Sequence, residues 1–186
     1  MAQGSVFKKF EPFITLLVFC NKILPVWANK FLLVCFRNFP GSPGVLIRYV
    51  LLKNICKSFG KNVVIFQGVI FDVPEIMEIG NNVSIYQYCY LAGEICIGDD
   101  VAIAHTTAIH SFNHTWDDTN LPIRYNPIYS KKVVIENDVW IACNCIILSG
   151  VKIGKRSVIA AGSVVTKSVE NNSLVGGNPA RLIKNI

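Results

Sequence analysis

Large apolar residues recur every six positions through most of this chain. One reading frame runs Phe59, Ile65 and Phe71, then Ile79, Ile85, Leu91, Ile97, Ile103 and Ile109, and resumes at Ile135, Ile141, Ile147, Ile153, Ile159 and Val165. A second inward set, of smaller residues, follows four positions later: Val63, Val69, Val83, Cys89, Val101, Thr107, Val139, Cys145, Val151, Ser157 and Ser163. A step of six is neither the 3.6 of an amphipathic helix nor the alternation of a hairpin strand. It describes a solenoid of short flat strands, each offering one large side chain inward before the chain turns a corner. Parallel β-helices are built this way.

A longer period of eighteen gives three strands per coil. IGNN (79–82) to IGDD (97–100) and IEND (135–138) to IGKR (153–156) are each eighteen residues apart, and FGKN (59–62) marks the same corner. Gly, Asn and Asp recur there, which predicts a turn that uses positive φ. The repeat accounts for about five coils. It breaks twice: two extra residues lie between Phe71 and Ile79, and Ile109 to Ile135 spans 26 residues where six are due. The second break predicts an extruded loop at about 110–134, with the content HSFNHTWDDTNLPIRYNPIYSKK. An excursion from a regular solenoid that is rich in His, Asp and aromatic residues is where chemistry is expected.

Residues 1–58 follow another rule, so the chain divides into an N-terminal helical region (1–58) and a β-helix (59–186) whose tail begins near 168. Residues 5–38 read as one or two helices broken near Pro25. FPGSPG (39–44) reads as a turn, and VLIRYVLLKNICKSF (45–59) as a helix with Arg48, Lys53 and Lys57 off its apolar face. Solenoids need their first coil covered, so a helical cap is one reading; an amphipathic segment lying on a membrane surface is the other. Asn21, Lys22, Pro25 and Lys30 interrupt the apolar stretch from Phe13 to Phe36. It falls short of the roughly 20 residues that span a bilayer. Glu11 and Pro12 precede it and no small-residue cleavage site follows, unlike a secretory signal. A cytoplasmic protein is expected, with peripheral membrane contact through these helices as the alternative.

Composition sharpens this picture. With 52% apolar residues, the chain is hydrophobic for a soluble monomer, which points to surface hidden by oligomerisation or by a membrane. A net charge of +6 suits an anionic partner such as a phosphate-bearing ligand or an anionic lipid surface. No nucleic-acid motif is present, and no nucleic-acid partner is expected. The seven cysteines form no CxxC pair and several fall on inward positions, so they read as buried reduced thiols.

The stretch IENDVWIACNCIILSGVKIGKRSVIAAGSVVTKSV, with VGGNPARLIKNI after it, resembles the C-terminal signature of the hexapeptide-repeat acetyltransferases. That family includes maltose and galactoside acetyltransferases and enzymes that acetylate capsule and O-antigen sugars. The resemblance covers about residues 59–186. It implies a mainly β fold with a left-handed parallel β-helix, a homotrimer with sites in the clefts between copies, acetyl-CoA as co-substrate and no metal. It also implies transfer to a sugar hydroxyl of a surface polysaccharide or its lipid-linked precursor.

By match to the family pattern, His114 is the general base, a role that suits a side chain titrating near neutrality. Trp140 matches the aromatic packed beside base and cofactor. Asp117 and His110 are candidate supporting residues; Asp118 or a backbone carbonyl could orient the base equally well. His105 reads as a packed or solvent-facing strand residue. Cys143, Ala161, Gly162 and Thr166 match the positions that meet the pantetheine arm, and Lys167, Arg181 and Lys184 those near the phosphates. On the acceptor side the chain departs from the maltose and galactoside enzymes, with Tyr86 where they carry Asn. Tyr86 and Gln87 are therefore acceptor candidates by position only.

Two rival chemistries have sequence signatures. An N-acetyltransferase acting on a nucleotide-linked amino sugar often carries a glycine-rich nucleotide-binding domain, which residues 1–58 lack. A γ-type carbonic anhydrase shares the β-helix but needs three zinc-binding histidines. His105 and His110 stand with four residues between them, yet no His precedes His105.

Overall fold

The computed structural model describes residues 4–186, with side chains from Phe10 onward. Three helices, α1 (Gly4–Asn21), α2 (Val26–Cys35) and α3 (Gly41–Ile55), precede a left-handed parallel β-helix. The first face of the prism stacks Ser58–Phe59, Glu78–Ile79, Ile95–Ile97, Val133–Ile135 and Lys152–Ile153. The second stacks Val64–Ile65, Ser84–Ile85, Ala102–Ile103, Trp140–Ile141, Val158–Ile159 and Ser173–Gly177, and the third Ile70–Asp72, Tyr90–Ala92, Ala108–His110, Ile146–Ile147 and Val164–Val165. That is five complete coils and a sixth begun. The last strand, Ala180–Asn185, folds back antiparallel on Ser173–Gly177 and closes the C-terminal end.

The six-residue frame is the core. Fourteen of its fifteen residues are buried and Phe71 is partly so; every member of the smaller inward set is buried as well. Parallel register puts like on like from coil to coil, as in Ile85 on Ile103 and Ile141 on Ile159. Thr107, Ser157 and Ser163 are tolerated inside because their hydroxyls donate to the carbonyls of Ala142, Glu170 and Ala160.

The first corner uses positive φ as expected, though at one position only. The positive φ falls on the fourth residue of each tetrapeptide, Asn62, Asn82, Asp100, Asp138 and Arg156, and not on the glycines. Gly60, Gly80, Gly98 and Gly154 are there for space. A Cβ on Gly60 would lie 2.2 Å from the Gly80 carbonyl oxygen, and one on Gly98 would lie 2.2 Å from Asn137 Oδ1. The neighbouring side chains form ladders along the axis: Asn62 donates to Asn82 and Asn82 to Asp100.

The N-terminal region also departs in detail. The 39–44 breaker is the first turn of α3, which begins at Gly41, since Pro is tolerated at a helix start where no N–H partner is lost. The helix stops at Ile55, and Ser58–Phe59 already belongs to the first coil. Arg48 is not on a solvent face: it is 1% exposed. Its Nε donates to the Ile65 carbonyl, and Nη1 to those of Phe36, Arg37 and Phe39, so it ties α3 to the turn before it and to the first coil. The two extra residues after Phe71 are taken up by a short 3₁₀ turn, Pro74–Ile76, entered through Val73 at φ 58°. No helix among the described residues is long and apolar enough to cross a membrane.

The cysteines are all free, and only Cys89 and Cys145 are fully buried. Cys20 and Cys35 are exposed, against expectation, because both lie on outward helix faces of the N-terminal region.

Candidate active site

The break after Ile109 extrudes an antiparallel ribbon from the third corner, between the third and first faces. Phe112–His114 pairs with Ile128–Ser130, with His114 opposite Ile128. The ribbon's root is pinned at Ser111, which is fully buried. Its Oγ accepts from the Glu94 amide at 2.7 Å and lies 3.2 Å from Ser130 Oγ. Its carbonyl accepts from Ser149 Oγ and the Lys131 amide, each at 2.7 Å. Gly93, at φ +85°, permits this approach: a Cβ there would sit 2.0 Å from Ser111 Oγ.

The tip is held by Asn126, a residue to which the sequence reading gave no role. It is buried in an otherwise exposed loop. Its side-chain amide donates toward the carbonyls of Asp118, Leu121 and Pro122 and accepts from the Asp118 amide. An Asn among exposed polar neighbours gives no sequence signal for such a role.

His114 stands at the end of its strand, exposed, with no side-chain hydrogen bond to any described residue. Asp117 makes no hydrogen bond to it, and Asp118 is engaged in the loop turn, accepting from the Asn120 amide. His110 lies inside the root, half-buried, with its ring 5.4 Å from Tyr90 and 6.1 Å from Phe112. Burial lowers its pKa, which favours the neutral ring. His105 is exposed at the second corner, not within a strand, so the three histidines do not converge. Among the described residues no group of three or more His, Cys, Asp or Glu could hold a metal ion.

The second corner, between the second and third faces, carries most of the remaining candidates. Backbone hydrogen bonds stack Phe66, Tyr86, Ala104, Ala142, Ala160 and Gly176 in one column. Aromatic rings occupy its lower end, with Phe66 and Tyr86 stacked 4.7 Å apart, and small residues its upper end. The adjoining column runs from Gln87 through His105 and Cys143 to Ala161, and the next ends at Gly162. The corner is thus a shallow trough, with Tyr86 and Gln87 below and Cys143, Ala161 and Gly162 above. Trp140, on the second face two residues before Ala142, is 54% exposed and flanks it. Arg181 pairs with Gly176 and Lys184 with Leu174, so both bases stand at the trough's upper end.

Thr166 and Lys167 belong elsewhere. They follow Val164–Val165 across the third face and sit on the third corner, the one that also extrudes the His114 ribbon. The cofactor candidates therefore sort onto two corners on opposite edges of the third face. Lys167 and Arg181 both line a depression of about 350 Å³ at the C-terminal end. A cavity of about 470 Å³ between α1, α3 and the first coils contains none of the candidates.

The trough suits a thin flexible chain ending in phosphates. Small side chains let it approach strand backbone, and the cations at one end complement the anionic terminus.

Known proteins resemble this chain in both sequence and fold. Residues 132–167 match the family described as bacterial transferase hexapeptide (six repeats). The galactoside O-acetyltransferase of Escherichia coli (strain K12) is 32% identical over 142 residues, covering 75% of this chain and 68% of that protein. A hexapeptide-repeat acetyltransferase from Vibrio cholerae, solved with acetyl coenzyme A, superposes with TM-score 0.76 at 30% identity, covering 86% of each chain. A maltose O-acetyltransferase from Clostridium difficile gives 0.76 at 31% identity, covering 86% of this chain and 84% of that one. An N-acyltransferase from Bacillus cereus, solved with dTDP and 3-hydroxybutyryl-CoA, gives 0.61 at 26%, covering 73% and 86%.

Proposed function

The chain belongs to the hexapeptide-repeat transferase family, and from that premise we propose that it is an acetyl-CoA-dependent O-acetyltransferase acting on a sugar hydroxyl. The observation that carries this reading is the sorting of the candidates onto two corners. In the cyclic trimer we envisage, the prisms lie side by side with the second corner of one copy against the third corner of the next. The trough of Cys143, Ala161 and Gly162, with Trp140 and Arg181, would then lie against Thr166, Lys167 and the His114 ribbon of the neighbour. Acetyl-CoA fits between them, and no site is complete in a single copy. The hydrophobic composition supports such packing.

In this arrangement His114 takes the proton of the acceptor hydroxyl as its oxygen attacks the thioester carbonyl. A C–O bond forms, the C–S bond breaks, and the proton passes from the imidazole to the departing sulfur. The transfer is direct, with no acyl-enzyme. The antiparallel ribbon, pinned by Ser111 and Asn126, holds the imidazole away from its own chain and aims it at a neighbour. His110 supports the root of that ribbon through ring packing. Tyr86 and Gln87, at the lower end of the trough, would contact the acceptor; a Tyr ring can stack on a sugar and donate a hydrogen bond. The acceptor class we favour is a bacterial surface polysaccharide, capsule or O-antigen, or its lipid-linked precursor, modified in the cytoplasm.

The test is acetyl transfer from acetyl-CoA to a panel of simple glycosides. Wild-type protein should yield an acetyl ester, which hydroxylamine cleaves. A hydroxylamine-stable amide on an amino sugar would move the assignment to the N-acyl chemistry of the Bacillus cereus neighbour. Ala161→Trp fills the trough and should raise KM for acetyl-CoA roughly tenfold or more, the effect of losing about 1.4 kcal/mol of binding. An unchanged KM in that variant removes acetyl-CoA from this corner.

A further inference from the structure

α1 is apolar on two sides. Ile14, Leu17 and Val18 pack into the core, while Phe13, Leu16 and Phe19 stand exposed on the opposite side. In α2, Trp27, Phe31 and Val34 fall at i, i+4 and i+7 and form one exposed stripe. Ile23, in the turn joining the helices, is 86% exposed and Trp27 73%. Eleven exposed large apolar side chains fall between Phe10 and Phe39. Folded monomers rarely leave so many large apolar side chains of one region in water without a partner.

The charge is segregated in the same way. Residues 1–58 contain eight Lys or Arg and one acidic residue, leaving ten basic and eleven acidic for the β-helix. The entire positive excess of the chain thus belongs to the cap. Its carboxylate, Glu11, is engaged by Lys61, and the neighbouring Glu75 by Lys30. Lys22, beside Ile23 at the helix turn, and Arg37 make no ion pair among the described residues.

We propose that the exposed face of α1 and α2 docks on the surface of an anionic bilayer, with Phe13, Leu16, Phe19, Ile23, Trp27 and Phe31 entering the interface and the basic residues meeting lipid phosphates. The helices lie in the interface plane, since neither is long and apolar enough to cross. A second copy seated end to end on this face would bring two strongly basic caps together, which charge repulsion opposes. Side chains that protrude, as Ile23 and Trp27 do, suit insertion among headgroups. In the trimer proposed above, three such caps would lie at one end of three parallel prisms, and their contacts would add; the docking does not otherwise rest on that reading.

The test is flotation of the full chain with vesicles of phosphatidylcholine alone and of phosphatidylcholine with phosphatidylglycerol. The protein should partition onto the anionic vesicles, less so as salt rises. Trp27→Glu combined with Phe31→Glu should weaken partition roughly tenfold or more. Lys22→Glu should weaken it on the anionic vesicles only. Acetyl transfer to a soluble glycoside should persist in all of these, so failure of docking and failure of the acetyltransferase reading are told apart. Wild-type protein that stays unbound, or a double variant that partitions as well as wild type, would overturn the proposal. So would an end-to-end assembly of wild-type trimers that the double variant dissociates.

Discussion

His114→Ala lowers turnover by roughly 10²- to 10⁴-fold, the range a positioned general base contributes, while leaving KM for acetyl-CoA near its wild-type value. The separation of these effects follows from geometry. His114 sits on the ribbon of the third corner, and the small-residue trough proposed for the pantetheine arm, with Tyr86 at its foot, sits on the second. The substitution should also leave the fold untouched. The His114 side chain is exposed and bonded to no described residue, and Ser111 and Asn126 fix the ribbon without it. Steady-state kinetics with sedimentation on the same preparation check both halves. Turnover within a few fold of wild type would remove His114 from the chemistry.

Arg48→Ala destabilises the protein by about 2–4 kcal/mol, the cost of leaving buried carbonyls without a donor, at about 1–3 kcal/mol for each that water does not reach. Four carbonyl oxygens, of Phe36, Arg37, Phe39 and Ile65, lose a donor at once. Three of them belong to the turn between α2 and α3, so the loss is felt where the cap meets the first coil. Gly44 packs at the same place, where a Cβ would lie 2.0 Å from the Phe39 carbonyl oxygen. Arg48→Lys should recover only part of the loss, because an ammonium cannot reproduce the fork of a guanidinium. Chemical denaturation measures both variants; a midpoint unchanged in Arg48→Ala would mean that the cap is held by apolar packing alone.

Arg48 also marks where sequence reasoning stops. Helical spacing puts it off the apolar stripe, and nothing local reveals that four carbonyls gather over that side of α3. The prism itself is legible because each coil offers the same narrow interior: Ile85, Ile103, Ile141 and Ile159 must be alike to stack. The corner glycines misled for a related reason. Gly60 and Gly98 answer to the coil above them, a contact eighteen or more residues away in sequence, and not to their own φ. The extruded ribbon was visible as a gap in the repeat, yet its strand pairing and its Asn126 staple were not, since both depend on polar residues that look like any loop.

The candidate residues were legible one by one, but their arrangement was not. Thr166 and Lys167 follow Ala161 and Gly162 closely in sequence, yet a strand of the third face separates them and places them on another corner. Only the folded coil shows that the candidates divide into halves on two corners of one chain.

Whether those halves belong to different copies is decided most directly by co-assembling two impaired proteins, His114→Ala and Ala161→Trp, by co-expression and assaying them at acetyl-CoA well below the raised KM of the second. If the base of one copy serves the trough of its neighbour, mixed trimers contain sites with both parts intact, and acetyl transfer returns well above that of either variant alone. Mixed trimers no more active than their parents under that condition would contradict the shared site.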